Sequence, residues 1–392
     1  MSVQLIFEKT GDALTGALLV NGALYACRTQ KTDAAVRAEQ IYLAKADRNM
    51  KGMDASFVRL RDGVNGFLPY AEMLPGAPRP PRSGQPLLVQ VKKPPVQQKC
   101  AYVTMDISLA GRYLILLPFG HGCSASARIT DEDTRRQLLC AGGKLCPEGC
   151  GLVIRSEAVG VKETVLSAEC TDLEARWHAL QEKMRGAAAP CLLSEGDSLP
   201  ERMLRDLHGV PDEVVTDCPA LLPPMPCPVR TQAHPLSAAG VPGKLEKSLR
   251  RRIWLPGGGN LAVDPCEAMT VIDVNSARDT GKKDGLENAA LRLNLEACEE
   301  IARIMQLRQL GGIILIDFVD MTVPAHRQAV ADQLAKCLSF DPVKTVLHGF
   351  TSLGLMEVTR KKTEQPLPGA AEISCPYCHG TGILEKENDH EQ

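Results

Sequence analysis

Two short apolar runs in this chain each end in an aspartate. Asp273 follows Thr270-Val271-Ile272, and Asp317 follows Ile313-Ile314-Leu315-Ile316. Asn275 stands two residues after the first. Carboxylates at paired strand ends, with an amide beside them, suit a hard cation. Magnesium is typically held by one or two carboxylates and keeps positions open for phosphate. The plainer reading is that each aspartate caps the turn after its strand. The DFVD segment adds Asp320 to the same neighbourhood, which weighs toward a metal site.

A second set of reactive residues lies in SCPYCHGTG (374–382), where Cys375 and Cys378 have the C-x-x-C spacing of a zinc knuckle. Structural zinc takes four thiolate or imidazole ligands, and this pair supplies two. His379 follows Cys378 directly and is poorly placed to share the ion. Three completions stand. The same pair from a second chain gives four sulfurs on a two-fold axis. In-chain thiols are offered by Cys123, Cys140, Cys146 and Cys150. A redox pair without metal is the third, although no thioredoxin-type helix follows it.

The elements that must position the aspartates are legible. Both runs are rich in β-branched residues and read as buried strands. Between them, Leu286, Ala290, Leu293, Ala297, Ile301 and Ile304 recur at helical spacing. That predicts a helix over about 284–310, stopped by Gly311-Gly312. Strand, helix and strand of this length predict a right-handed βαβ unit with parallel strands. Both aspartates then fall near the carboxyl ends of their strands.

The 392 residues allow two to four domains, and 44% hydrophobic with 23% charged residues is ordinary for globular protein. No apolar run approaches the roughly 20 residues needed to span a bilayer. The first residues show no basic leader before an apolar core. Fifteen cysteines without a secretory signal predict reduced thiols and a cytoplasmic protein. A net charge of −2 excludes global attraction to nucleic acid, so a polyanion would need a local basic patch. At 4% aromatic residues there is no broad stacking platform, only individual rings.

Residues 1–30 predict a hairpin turning at Asn21-Gly22. Short strands over 38–93 predict a small barrel. Phe57 and Phe67 on successive strands could share a face, with Lys92 and Lys93 ending a later strand. Rings beside cations suit a single-stranded nucleic acid; the alternative is that both rings are core. Residues 101–118 read as a hairpin, 131–140 as a helix capped by Asp131, and 171–185 as a second helix. The proline-rich stretch 186–243 predicts mostly loop, with a short helix at 201–207 and a strand at 213–215. Residues 244–252 are basic, 323–338 read as a helix, and two strands follow.

On these motifs the chain resembles the RNase E/G family of bacterial endoribonucleases. The most specific segments are TVIDVNSAR (270–278), NLEACEEIARIMQLRQLGGIILIDFVDM (294–321), LGLMEVTRK (353–361) and CPYCHGTG (375–382). The resemblance implies a multi-subdomain α/β fold. An RNase H-like lobe (1–35 and a reduced 185–262) carries an inserted OB-type RNA-binding barrel (36–94). A 5′-sensor region (95–184), a DNase I-like α/β catalytic subdomain (263–374), a zinc link (375–382) and a tail (383–392) follow. It implies that Asp273 and Asp317 bind magnesium and that Asn275 orients the site. Phe57 and Phe67 would stack RNA, with Lys92, Lys93 and Arg360 as basic contacts. Arg128, Arg155 and Ser156 would receive the RNA 5′ end. Cys375 and Cys378 would share a zinc ion between two chains. The expected activity is magnesium-dependent cleavage of single-stranded RNA to 5′-phosphate and 3′-hydroxyl ends by a homodimer. Two rivals remain: a non-catalytic RNA-binding protein, with ribosome-associated or RNA-decay partners unknown, and a DNA nuclease.

Three departures from the family pattern carry expectations. Cys100 follows Lys99 where the family has glycine, and Ala127 precedes Arg128 where it has a basic pair, so a weak preference for 5′-monophosphate ends is expected. Ser352-Leu353 stands where the family has an arginine-phenylalanine step, which puts one RNA contact in doubt. The sequence stops ten residues after Gly382, where relatives carry a further small domain, so a dimer and not a tetramer is expected.

Overall fold

The computed structural model describes residues 2–31, 36–95, 99–276, 283–362 and 367. Two compact units emerge, one of Val3–Gly16 with Arg28–Pro235, the other of Ala17–Cys27 with the chain from Leu236 onward. Strands β1 (Val3–Thr10), β2 (Ala13–Val20) and β3 (Ala23–Lys31) open the chain. Asn21 and Gly22 both have positive φ, 49° and 79°, as a two-residue hairpin turn with the sheet's own twist requires.

Five strands then close a barrel: β4 (Ile41–Met50), β5 (Ala55–Arg61), β6 (Val64–Pro69), β7 (Pro86–Lys93) and β8 (Ala101–Thr104). The order is β4-β5-β6-β8-β7 and back to β4, with β6 and β8 parallel. Alternation sends Val58, Leu60, Leu68, Val89, Val91 and Val103 inward, and these fill the barrel. The predicted barrel boundary at 94 is therefore corrected. Pro94-Pro95 reads as a domain end, but closure needs β8, which pairs with both β6 and β7.

Strands β9 (Leu109–Ala110), β10 (Leu114–Leu117) and β11 (Gly122–Ala125), helix α1 (Glu132–Leu145), strand β12 (Gly151–Ile154) and helix α2 (Glu163–Arg185) follow. The sheet runs β11-β12-β10-β9. Asp131 caps α1 by accepting from the Thr134 amide at 2.8 Å. Both helices exceed their predicted lengths. Helix α1 runs through Gly142, whose missing Cβ leaves room for the Cys123 sulfur.

Residues 186–243 are more regular than their proline content suggests. Strand β13 (Cys191–Ser194) pairs with β4, and helix α3 (Leu199–Arg205) starts in a capping box of Ser198 and Glu201. Strands β14 (Glu213–Thr216) and β15 (Val229–Thr231) add in parallel to β1, giving the order β15-β14-β1-β2-β3. Two helices, α4 (Pro235–Ala238) and α5 (Val241–Leu249), complete the stretch.

The remaining elements are β16 (Arg252–Trp254), β17 (Asn260–Pro265), β18 (Met269–Asn275), α6 (Lys283–Leu307), β19 (Gly312–Asp317), α7 (Pro324–Leu338), β20 (Thr345–Phe350) and β21 (Met356–Arg360). They form one six-stranded sheet, β16-β17-β18-β19-β21-β20. The predicted boundary at 262/263 is corrected too, because β16 and β17 belong to this sheet. Ile272, Val274, Ile314 and Ile316 pack with Ala297, Ile301, Ile304, Val330 and Leu334 of α6 and α7 in a single core. Truncating a fully buried member such as Ile301 to alanine costs about 2–5 kcal/mol. No described helix is long and apolar enough to cross a membrane.

Candidate active site

Strand β18 alternates. Thr270, Ile272 and Val274 are buried toward the helices, so Val271, Asp273 and Asn275 point to the opposite face. Strand β19 does the same, turning Ile314 and Ile316 inward and Ile313, Leu315 and Asp317 outward. Helix α6 provides the crossover, and the two strands run parallel as predicted. Their register pairs Asp273 directly with Asp317. Two carboxylates thus stand side by side at the carboxyl ends of adjacent strands, on the face away from the helices. The Asn275 amide donates to Asp273 Oδ2 at 2.8 Å. Burial, then the neighbouring Asp273 and Asp320 carboxylates, lifts the Asp317 carboxyl above its ordinary range.

Two positioning residues were not read from the sequence. Asn294 of α6 is fully buried; its Nδ2 donates to the Val319 carbonyl at 2.8 Å, and its Oδ1 accepts from the Val319 amide at 3.0 Å. It fixes the turn that carries Asp317 and Asp320. Glu287 accepts from the Thr322 and Val323 amides and the Thr322 hydroxyl, and pairs with His326 Nδ1 at 2.9 Å. Those bonds pull its carboxyl down to about 2 and tie the start of α6 to the start of α7. A polar residue recurring on the apolar side of a helical pattern, as Asn294 does, is the signal that could have found it.

On the barrel, Phe57 and Phe67 lie directly opposite each other on β5 and β6, edge to face at 5.8 Å. Neither belongs to the barrel core; both face outward and are half-buried. Tyr102 of β8 joins them, 6.3 Å from Phe67, and Lys93 sits over its ring at 5.8 Å. The sequence missed Tyr102 because it read β8 as part of a separate hairpin. Lys92 is engaged with Glu72 at 2.6 Å, and Glu72 also accepts from the Tyr102 hydroxyl at 3.1 Å. Burial pushes the Glu72 carboxyl up, but hydrogen bonds from Lys92, Thr104 and Tyr102 outweigh it and leave it low.

Arg360, expected as a basic contact with RNA, lies in the interior. It is 3% exposed, donates to Asp341 at 2.6 and 3.2 Å, and reaches the Leu310 carbonyl at 2.9 Å. Its guanidinium is committed to the interior.

In the β9–β12 sheet, β11 and β12 are parallel with Ala125 opposite Ile154, so Arg128 and Arg155 follow the same ends of neighbouring strands. Arg128 is exposed. Arg155 donates to the Gly111 carbonyl at 2.8 Å and lies 3.8 Å from Asp206; burial pulls its pKa down. Ser156 opens the short turn after it. Cys123, Cys146 and Cys150 pack together against the core, and the Cys146 thiol donates to the Cys150 carbonyl at 3.3 Å. Among the described residues no three His, Cys, Asp or Glu side chains are grouped to ligate a metal. Cys375 and Cys378 lie outside the described residues.

Residues 108–363 match the Ribonuclease E/G family. Over 98% of its length the chain is 32% identical to Ribonuclease G of Escherichia coli (strain K12), covering 85% of that protein. The chain belongs to the ribonuclease E/G family. It is 30% identical to Ribonuclease G of Haemophilus influenzae, covering 84% of it. Against Ribonuclease E of Synechocystis sp. it is 33% identical over 88% of this chain and 55% of that one. Family membership makes it an endoribonuclease, a hydrolase of internal phosphodiester bonds.

Proposed function

We propose that this member of the family cleaves single-stranded RNA with magnesium held by Asp273 and Asp317, leaving 5′-phosphate and 3′-hydroxyl ends. The observation that carries the reading is the direct register of the two aspartates at adjacent strand ends. Two carboxylates are the donor set that magnesium takes in phosphoryl chemistry. The raised carboxyl of Asp317, with Asp273 and Asp320 beside it, marks a position that gains from a cation. Bound there, the ion supplies Lewis-acid stabilisation to a phosphodiester as charge builds on it.

The chain's own groups do the rest. Asn275 cannot titrate, so its amide orients Asp273 and does not act as the base. Asn294 holds the Asp317 turn in place. The barrel is read as an OB-type single-strand binder, in which Phe57, Phe67 and Tyr102 stack bases and Lys93 meets the backbone. The sheet of β1–β3 with β14 and β15 is read as the RNase H-like lobe, and the β16–β21 sheet as the DNase I-like catalytic subdomain. Arg128, Arg155 and Ser156 are read as a weakened receptor for the RNA 5′ end. Cys375 and Cys378 are read as half of a zinc site shared by two chains, in a cytoplasmic enzyme.

The test is cleavage of an AU-rich single-stranded RNA by the purified protein, with and without magnesium. Asp317→Asn is expected to lower kcat by about 10³-fold or more, since it removes half of the charge that fixes the ion. Binding without any magnesium-dependent cleavage would favour the non-catalytic reading, and equal cleavage of single-stranded DNA the nuclease reading.

A further inference from the structure

Of the two tryptophans, Trp177 is buried at 7% exposure, whereas Trp254 is 67% exposed. An indole left open to water forgoes a large burial gain, and tryptophan is enriched at binding surfaces. Its place in the sheet says which one. In register, Trp254 of β16 lies opposite Asn260 of β17, and Asn260 opposite Asn275 of β18. One row nearer the strand starts, Arg252 lies opposite Ala262, and Ala262 opposite Asp273. Ile253 is turned into the helix-side core, so Arg252 and Trp254 lie on the same side of the sheet as Asp273, Asn275 and Asp317, opposite the helices. Two strand spacings, about 10 Å, separate Trp254 from Asn275 along the row.

Trp254 also lines a cleft of about 1450 Å³ whose wall includes Ser276 and Asp320, the residues that continue from the two catalytic strand ends. The Pro256–Gly259 turn beside it is held against the site. An added Cβ at Gly259 would sit 2.7 Å from the Asn275 carbonyl oxygen, and the Gly257 amide donates to Glu296 of α6 at 2.8 Å. An exposed ring and an exposed guanidinium on the face that bears the carboxylate pair, the ring also bordering a cleft walled by Ser276, Asp320 and α6 residues such as Leu293, match one ligand: a nucleotide.

We infer that Trp254 stacks on the base of the nucleotide flanking the scissile phosphate and that Arg252 meets that nucleotide's phosphate. This rests on the reading that Asp273 and Asp317 flank the scissile bond. Stacking on a protein ring discriminates little between bases, so the subsite positions the strand without imposing sequence.

The test uses a single-site RNA and a series of copies with one abasic nucleotide at each flanking position. Trp254→Ala is expected to lower kcat/KM by roughly 10-fold, with Trp254→Phe restoring most of it. One abasic position should slow the wild-type enzyme by a similar factor and leave Trp254→Ala no slower. In chelator, single-stranded RNA should quench the tryptophan fluorescence of the wild-type protein and not that of Trp254→Phe, where only buried Trp177 reports. Arg252→Gln should reduce the salt dependence of RNA binding by about one charge. Unquenched fluorescence, or abasic effects identical in wild type and Trp254→Ala, would overturn the inference while Asp317-dependent cleavage stood. Quenching that persists alongside cleavage indifferent to Asp317→Asn would instead keep Trp254 as an RNA contact and overturn its place beside the scissile bond.

Discussion

Arg360 and Asp341 form an ion pair whose side chains are 1% and 3% exposed, and desolvation sets the cost of breaking it. Asp341→Asn leaves a buried guanidinium without its counter-charge and is expected to cost roughly 3–5 kcal/mol in urea denaturation. Arg360→Lys should lower stability as well, without weakening RNA binding by the folded protein. A variant that lost RNA affinity at unchanged stability would reinstate Arg360 as a contact. The signal for its burial was present in the sequence: Met356 and Val358 are core residues, and a period of two carries Arg360 to the same side. At the proposed 5′-end receptor, Cys100 and Ala127 are exposed where the family resemblance offers glycine and a cation, and Arg155 already lies near Asp206. Monophosphorylated and triphosphorylated RNA are therefore expected to be cut at similar rates. A strong preference for the monophosphate in matched kinetics would contradict this.

At the scale of elements, Glu287 joins α6 to α7, and its link has a pH signature. The carboxyl falls from an ordinary 4.5 to about 2 because the Thr322 and Val323 groups bond its charged form. A depressed carboxylate contributes its full stabilisation above the ordinary value and loses it as pH falls toward the folded one. Wild type should therefore be more stable than Glu287→Gln at pH 7, with the gap closing between about pH 5 and pH 2. A constant gap in pH-dependent denaturation would rule this out. The βαβ unit around Asp273 and Asp317 was legible because long periodic segments carry their own register. The short strands β13 and β15 were not. Their partners, β4 and β14, are fixed by distant closure, and three or four residues hold too little alternation to announce a strand. Tyr102 and Trp254 were missed for the same reason: each is a surface ring only because of the strand that neighbours its own.

For the whole molecule, the paired-cysteine reading predicts one zinc per two chains. Cys378→Ser should lose the metal and halve the mass in solution together, and a scattering mass of four chains would contradict the expected dimer. The two compact units are not consecutive stretches of sequence. Ala17–Cys27 is grouped with the chain beyond Leu236, and Arg303 Nη1 donates to the Leu24 carbonyl at 2.6 Å across 279 positions. That bond sets an order of events during synthesis. The hairpin emerges from the ribosome early, yet the groups that complete it arrive only when α6 does. Until then the Leu24 carbonyl of β3 lacks its partner, and before β14 emerges β1 is an unpaired sheet edge, the kind of surface that chaperones and proteases meet first. A shortened gene product beginning at residue 236 would carry Asp273 and Asp317 and still lack a piece of its own unit.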